Sequence, residues 1–147
     1  MNNLPKLISI LSVSLALLSQ PGSSFAAGAS SKSIQGTVQI TKQLKDKLSS
    51  TAALYIIARP NGVTAGPPVA VKRFTTPLNF PISFEITAND AMMPGTPLEG
   101  EFTLMARVSQ KGSASPAAAG DLLASKPVNG VKPGRKPVTI EINEEKK

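Results

Sequence analysis

The chain has 147 residues and a formal net charge of +7, with no cysteine, no histidine and no tryptophan. That length suits one domain with a single core. The missing residue types exclude disulfide staples, thiolate chemistry and the usual zinc and blue-copper ligand sets, and they remove the commonest general base.

Residues 1–26 read as a secretory signal peptide. Lys6 supplies a positive charge, and the apolar run over residues 7–18 has signal-core length and is too short for a typical membrane-crossing helix. Pro21-Gly22 breaks the run, and Ser24-Phe25-Ala26 offers small residues for cleavage before Ala27. A retained anchor is the alternative reading. The interrupting serines and the short core favour cleavage, and no cysteine follows the cut to carry a lipid. Cleavage leaves 15 basic and 9 acidic residues, a formal +6, because Lys6 is the one charge lost.

Residues 27–33 are small and polar and read as a disordered linker. From Ile34 the composition turns β-rich, and Ile34, Val38 and Ile40 mark the first strand. Leu44 and Leu48, four apart in residues 41–50, fit one short helical segment with one apolar side. Residues 53–59, Ala-Leu-Tyr-Ile-Ile-Ala-Arg, are apolar on both faces and predict a central, covered strand. Pro60-Asn61-Gly62 ends it, and a loop leads to a strand at residues 69–74. Pro77 and Pro81 bracket an extended piece, after which Ile82, Phe84 and Ile86 alternate with Ser83 and Glu85 as in a half-buried strand. Residues 87–97 form a corner containing Met92-Met93-Pro94-Gly95. Residues 101–108 place Phe102, Leu104, Ala106 and Val108 on one strand face. A loop rich in small residues follows, then a turn back at Leu122-Leu123 and a closing strand at residues 138–142. The domain spans residues 34–143, and residues 144–147 read as a charged, solvated tail. About seven short strands with frequent turns predict an all-β, antiparallel, immunoglobulin-like β-sandwich.

The chemistry-bearing residues are few. Glu99 and Glu101 lie two apart, a spacing better explained by a solvent-facing pair than by an acid–base couple. Neither a nucleophile elbow nor a Ser-x-x-Lys motif is present. The expectation is therefore a protein that is not an enzyme and has no cofactor. Met92, Met93 and Met105 are soft ligands that suit Cu(I), but two adjacent methionines rarely converge on one ion, and a packing role is the plainer reading. The lysines are scattered and not interleaved with aromatics, so no nucleic-acid partner is expected, and at most a weak contact with anionic membrane.

Surface recognition remains. Arg59, Arg73 and Arg107 lie at or near strand ends, Arg59 on the side of Tyr55 and Ile57, Arg107 on the side of Thr103 and Met105. If those strands are neighbours, the arginines share one basic face, and arginine is enriched at binding hot spots. Ordinary salt bridging to Asp46, Asp90 or Asp121 is the competing reading. The candidate partner-binding set is Arg59, Lys72, Arg73, Met92, Met93 and Arg107.

Several of these motifs, in order, give a family resemblance: Ile34-Gln35-Gly36-Thr37-Val38, Leu54-Tyr55-Ile56-Ile57-Ala58-Arg59, Val69-Ala70-Val71-Lys72-Arg73, Pro81-Ile82-Ser83-Phe84, Asn89-Asp90-Ala91-Met92-Met93-Pro94-Gly95, Ala106-Arg107-Val108-Ser109-Gln110-Lys111-Gly112 and Gly120-Asp121-Leu122. Together they resemble the C-terminal periplasmic immunoglobulin-like domain of c-type cytochrome biogenesis proteins of the CcmI/CycH kind. The resemblance implies an accessory binding module whose partner is apocytochrome c or a component of haem ligation. It also implies a departure, because the helical-repeat region and paired membrane helices of such proteins have no counterpart here. The expectation is a stand-alone domain exported to the periplasm. An adaptor unrelated to cytochromes and a methionine-based Cu(I) carrier are the alternative functions.

Overall fold

A computed structural model of the chain describes residues 32–114 and 116–147. The signal peptide expected at residues 1–26, and linker residues 27–31, lie outside the described residues.

Alternation of apolar and polar side chains sets the first strand, β1 (Ile34–Ile40), in which Ile34 and Val38 are buried while Gln35 and Gln39 face solvent. The short helix α1 (Lys42–Lys45) follows. It buries Leu44, and Leu48 packs on the core just beyond it. The remaining strands are β2 (Ala53–Pro60), β3 (Ala70–Thr75), β4 (Ile82–Ile86), β5 (Phe102–Ser109), β6 (Leu122–Leu123), β7 (Val128–Val131), β8 (Val138–Ile142) and β9 (Glu144–Glu145), with a 3-10 turn at Ala88–Asp90.

The strands form two sheets. The small sheet has the order β4-β1-β8, and the large sheet has the order β3-β2-β5-β6-β9, with β7 also paired to β5. Every ladder is antiparallel except β1–β8. The all-β sandwich with one short helical segment is thus the observed fold, and β2 is central as its doubly apolar sequence requires.

Three details depart from the sequence reading. Strand β7 was not foreseen, because Val128-Asn129-Gly130-Val131 carries turn residues, and its register with β5 shifts between Phe102 and Leu104. Strand β9 falls in the supposed solvated tail. Glu144 and Glu145 pair with Leu123 and Leu122, and the Lys146 amide donates to the Asp121 carbonyl at 2.8 Å. The backbone holds this segment, so its charged side chains gave no sign of it. Ser33, read as linker, is also fixed: its hydroxyl donates to Glu85 at 2.6 Å and its carbonyl accepts from Gly134 N–H at 2.8 Å.

The core lies between the inner faces. Leu54, Ile56 and Ala58 of β2 and Leu104, Ala106 and Val108 of β5 meet Ile34, Val38, Ile86, Ile140 and Ile142. Among the described residues this cluster runs from Ile34 to Ile142 and joins both sheets in one contiguous core.

The ladders also define two poles. At the N-terminal pole stand Ser33 and the start of β1, the β2–β3 hairpin loop, the connection after β4 and the β7–β8 turn. Helix α1, the β3–β4 connection and the loop after β5 occupy the opposite pole.

Candidate functional site

The outer face of the large sheet gathers the arginines. Residues of one parity on β2 point outward, and the register places Tyr55 between Arg73 of β3 and Arg107 of β5. The two guanidinium carbons stand 5.8 and 5.5 Å from the centroid of the Tyr55 ring. At such distances the ring's negative faces attract the cations. The Tyr55 hydroxyl donates to the Gly112 carbonyl at 2.8 Å, and Arg73 Nη2 reaches the same carbonyl at 3.5 Å. Arg107 Nη2 donates to the Ser113 carbonyl at 3.2 Å. The loop after β5 is thus tied down over the stack. Tyr55 and Arg107 are only 4% and 8% exposed, whereas Arg73 is open to solvent at the sheet edge.

The loop itself is pinned by Asp121. Its buried carboxylate accepts the Gln110 amide and the Ala118 amide, each at 3.0 Å. Gly112 helps the close approach: its φ of +68° is left-handed, and a Cβ there would stand 2.8 Å from the Thr51 carbonyl.

One row along the face, Val71, Ile57 and Met105 align across the three strands, all half-buried. Arg59 closes this apolar row. Its Nε donates to the Gly66 carbonyl at 3.0 Å, and its Nη1 lies 3.5 Å from the Met105 sulfur. The outer face therefore presents a narrow apolar strip bounded by Arg59 on one side and by Arg73, Tyr55 and Arg107 on the other.

The rest of the candidate set lies beside this face. Lys72 points to the opposite side of β3, where its ammonium meets Asp90 at 3.1 Å. Asp90 is occupied further, because its carboxylate accepts the Thr87 amide at 2.9 Å and closes the 3-10 turn as a capping box. Met92 and Met93 stand 58% and 72% exposed at the corner next to the first residues of β3. The Met92 amide donates to the Val69 carbonyl at 2.9 Å, and Ala91 bridges Ala70, so the corner covers the start of the β3 edge. Arg59, Arg73 and Arg107 thus share a face, while Lys72, Met92 and Met93 line the edge of β3. Of the aspartates considered as salt-bridge partners for the arginines, Asp90 serves Lys72 and Asp121 serves backbone amides.

No group of three His, Cys, Asp or Glu side chains gathers among the described residues. Glu101, one of the two spaced carboxylates, pairs with Lys132 at 3.0 Å and accepts from Asn61 Nδ2 at 3.0 Å, a structural arrangement. One carboxyl departs from ordinary titration. The Ser33 hydroxyl, and then the Gln35 amide, hold the Glu85 carboxyl below the usual carboxylate range.

Sequence reasoning did not single out Tyr55 as the centre of the stack, or the basic turn Lys132-Pro133-Gly134-Arg135-Lys136 as a unit. The first depends on cross-strand register, which no local pattern reveals. The second was visible as a charge run around Pro-Gly.

The comparisons with known proteins agree with this architecture. Among solved structures, one similar chain is described as an alternative pilotin from the type II secretion system of Vibrio cholerae. It has 14% identity and a TM-score of 0.50, covering 76% of this chain and 95% of the other, and at that identity it shows a shared fold. The search of curated proteins returned no match. The sequence profile of the family described as "Cytochrome c-type biogenesis protein H Ig-like domain" matches residues 34–143, the span of the sandwich. The chain belongs to that family of immunoglobulin-like domains.

Proposed function

We propose that this chain is a non-enzymatic protein-binding module of the periplasm, exported by its N-terminal segment, that serves c-type cytochrome maturation by holding an apocytochrome or a component of haem ligation. The family match over residues 34–143 carries this reading. The outer face of the large sheet supplies a surface suited to it. Its apolar strip of Val71, Ile57 and Met105 can receive side chains of an extended segment, and the flanking Arg59 and Arg73 can clamp carboxylates or carbonyls. Arg107 acts from beneath, since it is nearly buried and holds the loop after β5 in place. The uncovered part of the β3 edge, beyond the Ala91–Met92 cover and alongside Lys72, offers backbone groups for strand addition. The absence of histidine and cysteine from the sequence fits a binding role better than a catalytic one.

A pull-down from periplasmic extract with residues 27–147 as bait, read by mass spectrometry, tests the reading. Recovery of apocytochromes or haem-ligation proteins is the expected result. Recovery of envelope proteins alone, with cytochromes absent, would replace it with an adaptor role unrelated to cytochromes.

A further inference from the structure

We propose that the N-terminal pole of the sandwich docks on an anionic phospholipid membrane. Two independent features meet there. The first is the basic β7–β8 turn: Lys132, Arg135 and Lys136 are all exposed, Gly134 holds a φ of +73°, and the Arg135 amide closes on the Lys132 carbonyl at 3.3 Å. Lys32 adds a fourth cation, its Cγ only 3.6 Å from where a Gly134 Cβ would stand. Two open clefts adjoin at this turn. One of about 470 Å³ takes in Lys32, Lys132 and Arg135 along with Glu99 and Glu101, and one of about 450 Å³ takes in Lys132, Arg135 and Lys136.

The second feature is apolar. Among the described residues, the large hydrophobic side chains left exposed are Val63, Met92 and Met93, and all three belong to this pole. Val63 sits on the β2–β3 hairpin loop that leaves the sheet beside Phe102, and Met92 is bonded to Val69 at the start of β3. Single exposed apolar residues are ordinary on a protein surface. Their confinement to one end, together with cations, is the pattern of an interfacial binder, which attracts headgroups by charge and buries a few apolar side chains among them.

Four acids share the pole: Asp90 and Glu101 offset the charges of Lys72 and Lys132, and Glu85 keeps its negative charge, since Ser33 and Gln35 are neutral donors. Glu99 lines the cleft with Lys32. Attraction to lipid is accordingly weak and salt-sensitive, and it leaves the outer face of the large sheet free for a protein partner.

Sedimentation of purified residues 32–147 with vesicles tests the proposal. Phosphatidylcholine vesicles containing about 30% phosphatidylglycerol are expected to bind the domain, and pure phosphatidylcholine to bind it far less, with release in about 0.5 M salt. Replacing Lys132, Arg135 and Lys136 by Gln lowers partitioning about tenfold. Met92→Ser with Met93→Ser lowers it severalfold, whereas Lys42→Gln with Lys45→Gln, at the opposite pole, changes it less than about twofold. Equal binding to neutral and anionic vesicles would overturn the proposal. So would an equal loss from the opposite-pole variant, which would reduce the effect to net charge. The pull-down above reports on the protein partner separately, so either result can stand without the other.

Discussion

At the scale of single residues, two positions bear on how the sheets meet and on how the fold responds to acid. Gly36 faces the core from β1, paired with Phe84 on one side and Val138 on the other. A Cβ there would lie 2.4 Å from the Val138 carbonyl oxygen and 2.6 Å from the Phe84 ring. The first of these neighbours is backbone and cannot swing aside. Gly36→Ala is therefore expected to destabilise the domain by about 1–3 kcal/mol, as overpacking does, read as a lower denaturant midpoint with an unchanged slope. Glu85 is the second position. Its carboxyl lies below its ordinary value because Ser33 and then Gln35 donate to the charged form. A lowered folded pKa means that protonation favours the unfolded chain. The stabilisation is complete above the unfolded value of about 4.3 and is lost as pH falls through the folded one. In Ser33→Ala the Glu85 carboxyl should titrate closer to the ordinary range, followed by side-chain NMR. An unchanged titration would show that Ser33 is not the donor that matters.

At the scale of elements, the loop after β5 is the part that converts a plain sheet face into a shaped one. Asp121 holds it by two amides, and the Gly112 and Ser113 carbonyls cap the Arg73–Tyr55–Arg107 stack. Asp121→Ala removes both acceptors and leaves amides without partners, a loss of about 2–3 kcal/mol. Tyr55 is the sole tyrosine and the chain has no tryptophan, so intrinsic fluorescence reports on this one ring. The variant should make that fluorescence markedly more open to acrylamide quenching. A quenching rate equal to that of the parent would mean that the loop does not depend on Asp121. The elements that were legible in the sequence are those whose apolar pattern matches their burial. Strands β1, β4 and β8 alternate, β2 is apolar throughout, and Leu44 marks α1. The shared outward parity of Tyr55, Ile57 and Arg59 was legible for the same reason. The residues opposite them were not, since pairing Tyr55 with both Arg73 and Arg107 requires the register of three strands separated by long connections. Strand β9 was illegible for another reason: two glutamates carry no apolar signal, and only backbone bonding to β6 makes them a strand.

At the scale of the whole molecule, the sandwich separates its surfaces. The core is sealed between the sheets, the loop after β5 closes over one end of the large sheet's outer face, and cations with exposed methionines mark the N-terminal pole. On the proposed reading, this domain of a family named for cytochrome c biogenesis holds one partner on that face and leaves its pole for a second contact. The proposed role makes a specific demand on that face, namely discrimination between an unfolded cytochrome chain and its finished, compact form. Titration calorimetry with haem-free and haem-bound cytochrome c measures it directly. The account predicts binding of the haem-free chain in preference to the holoprotein, weakened about tenfold or more when Arg59 and Arg73 are both replaced by Ala, as for residues at a binding hot spot. Equal affinity for the two forms, or a haem-free affinity untouched by the double replacement, would contradict it.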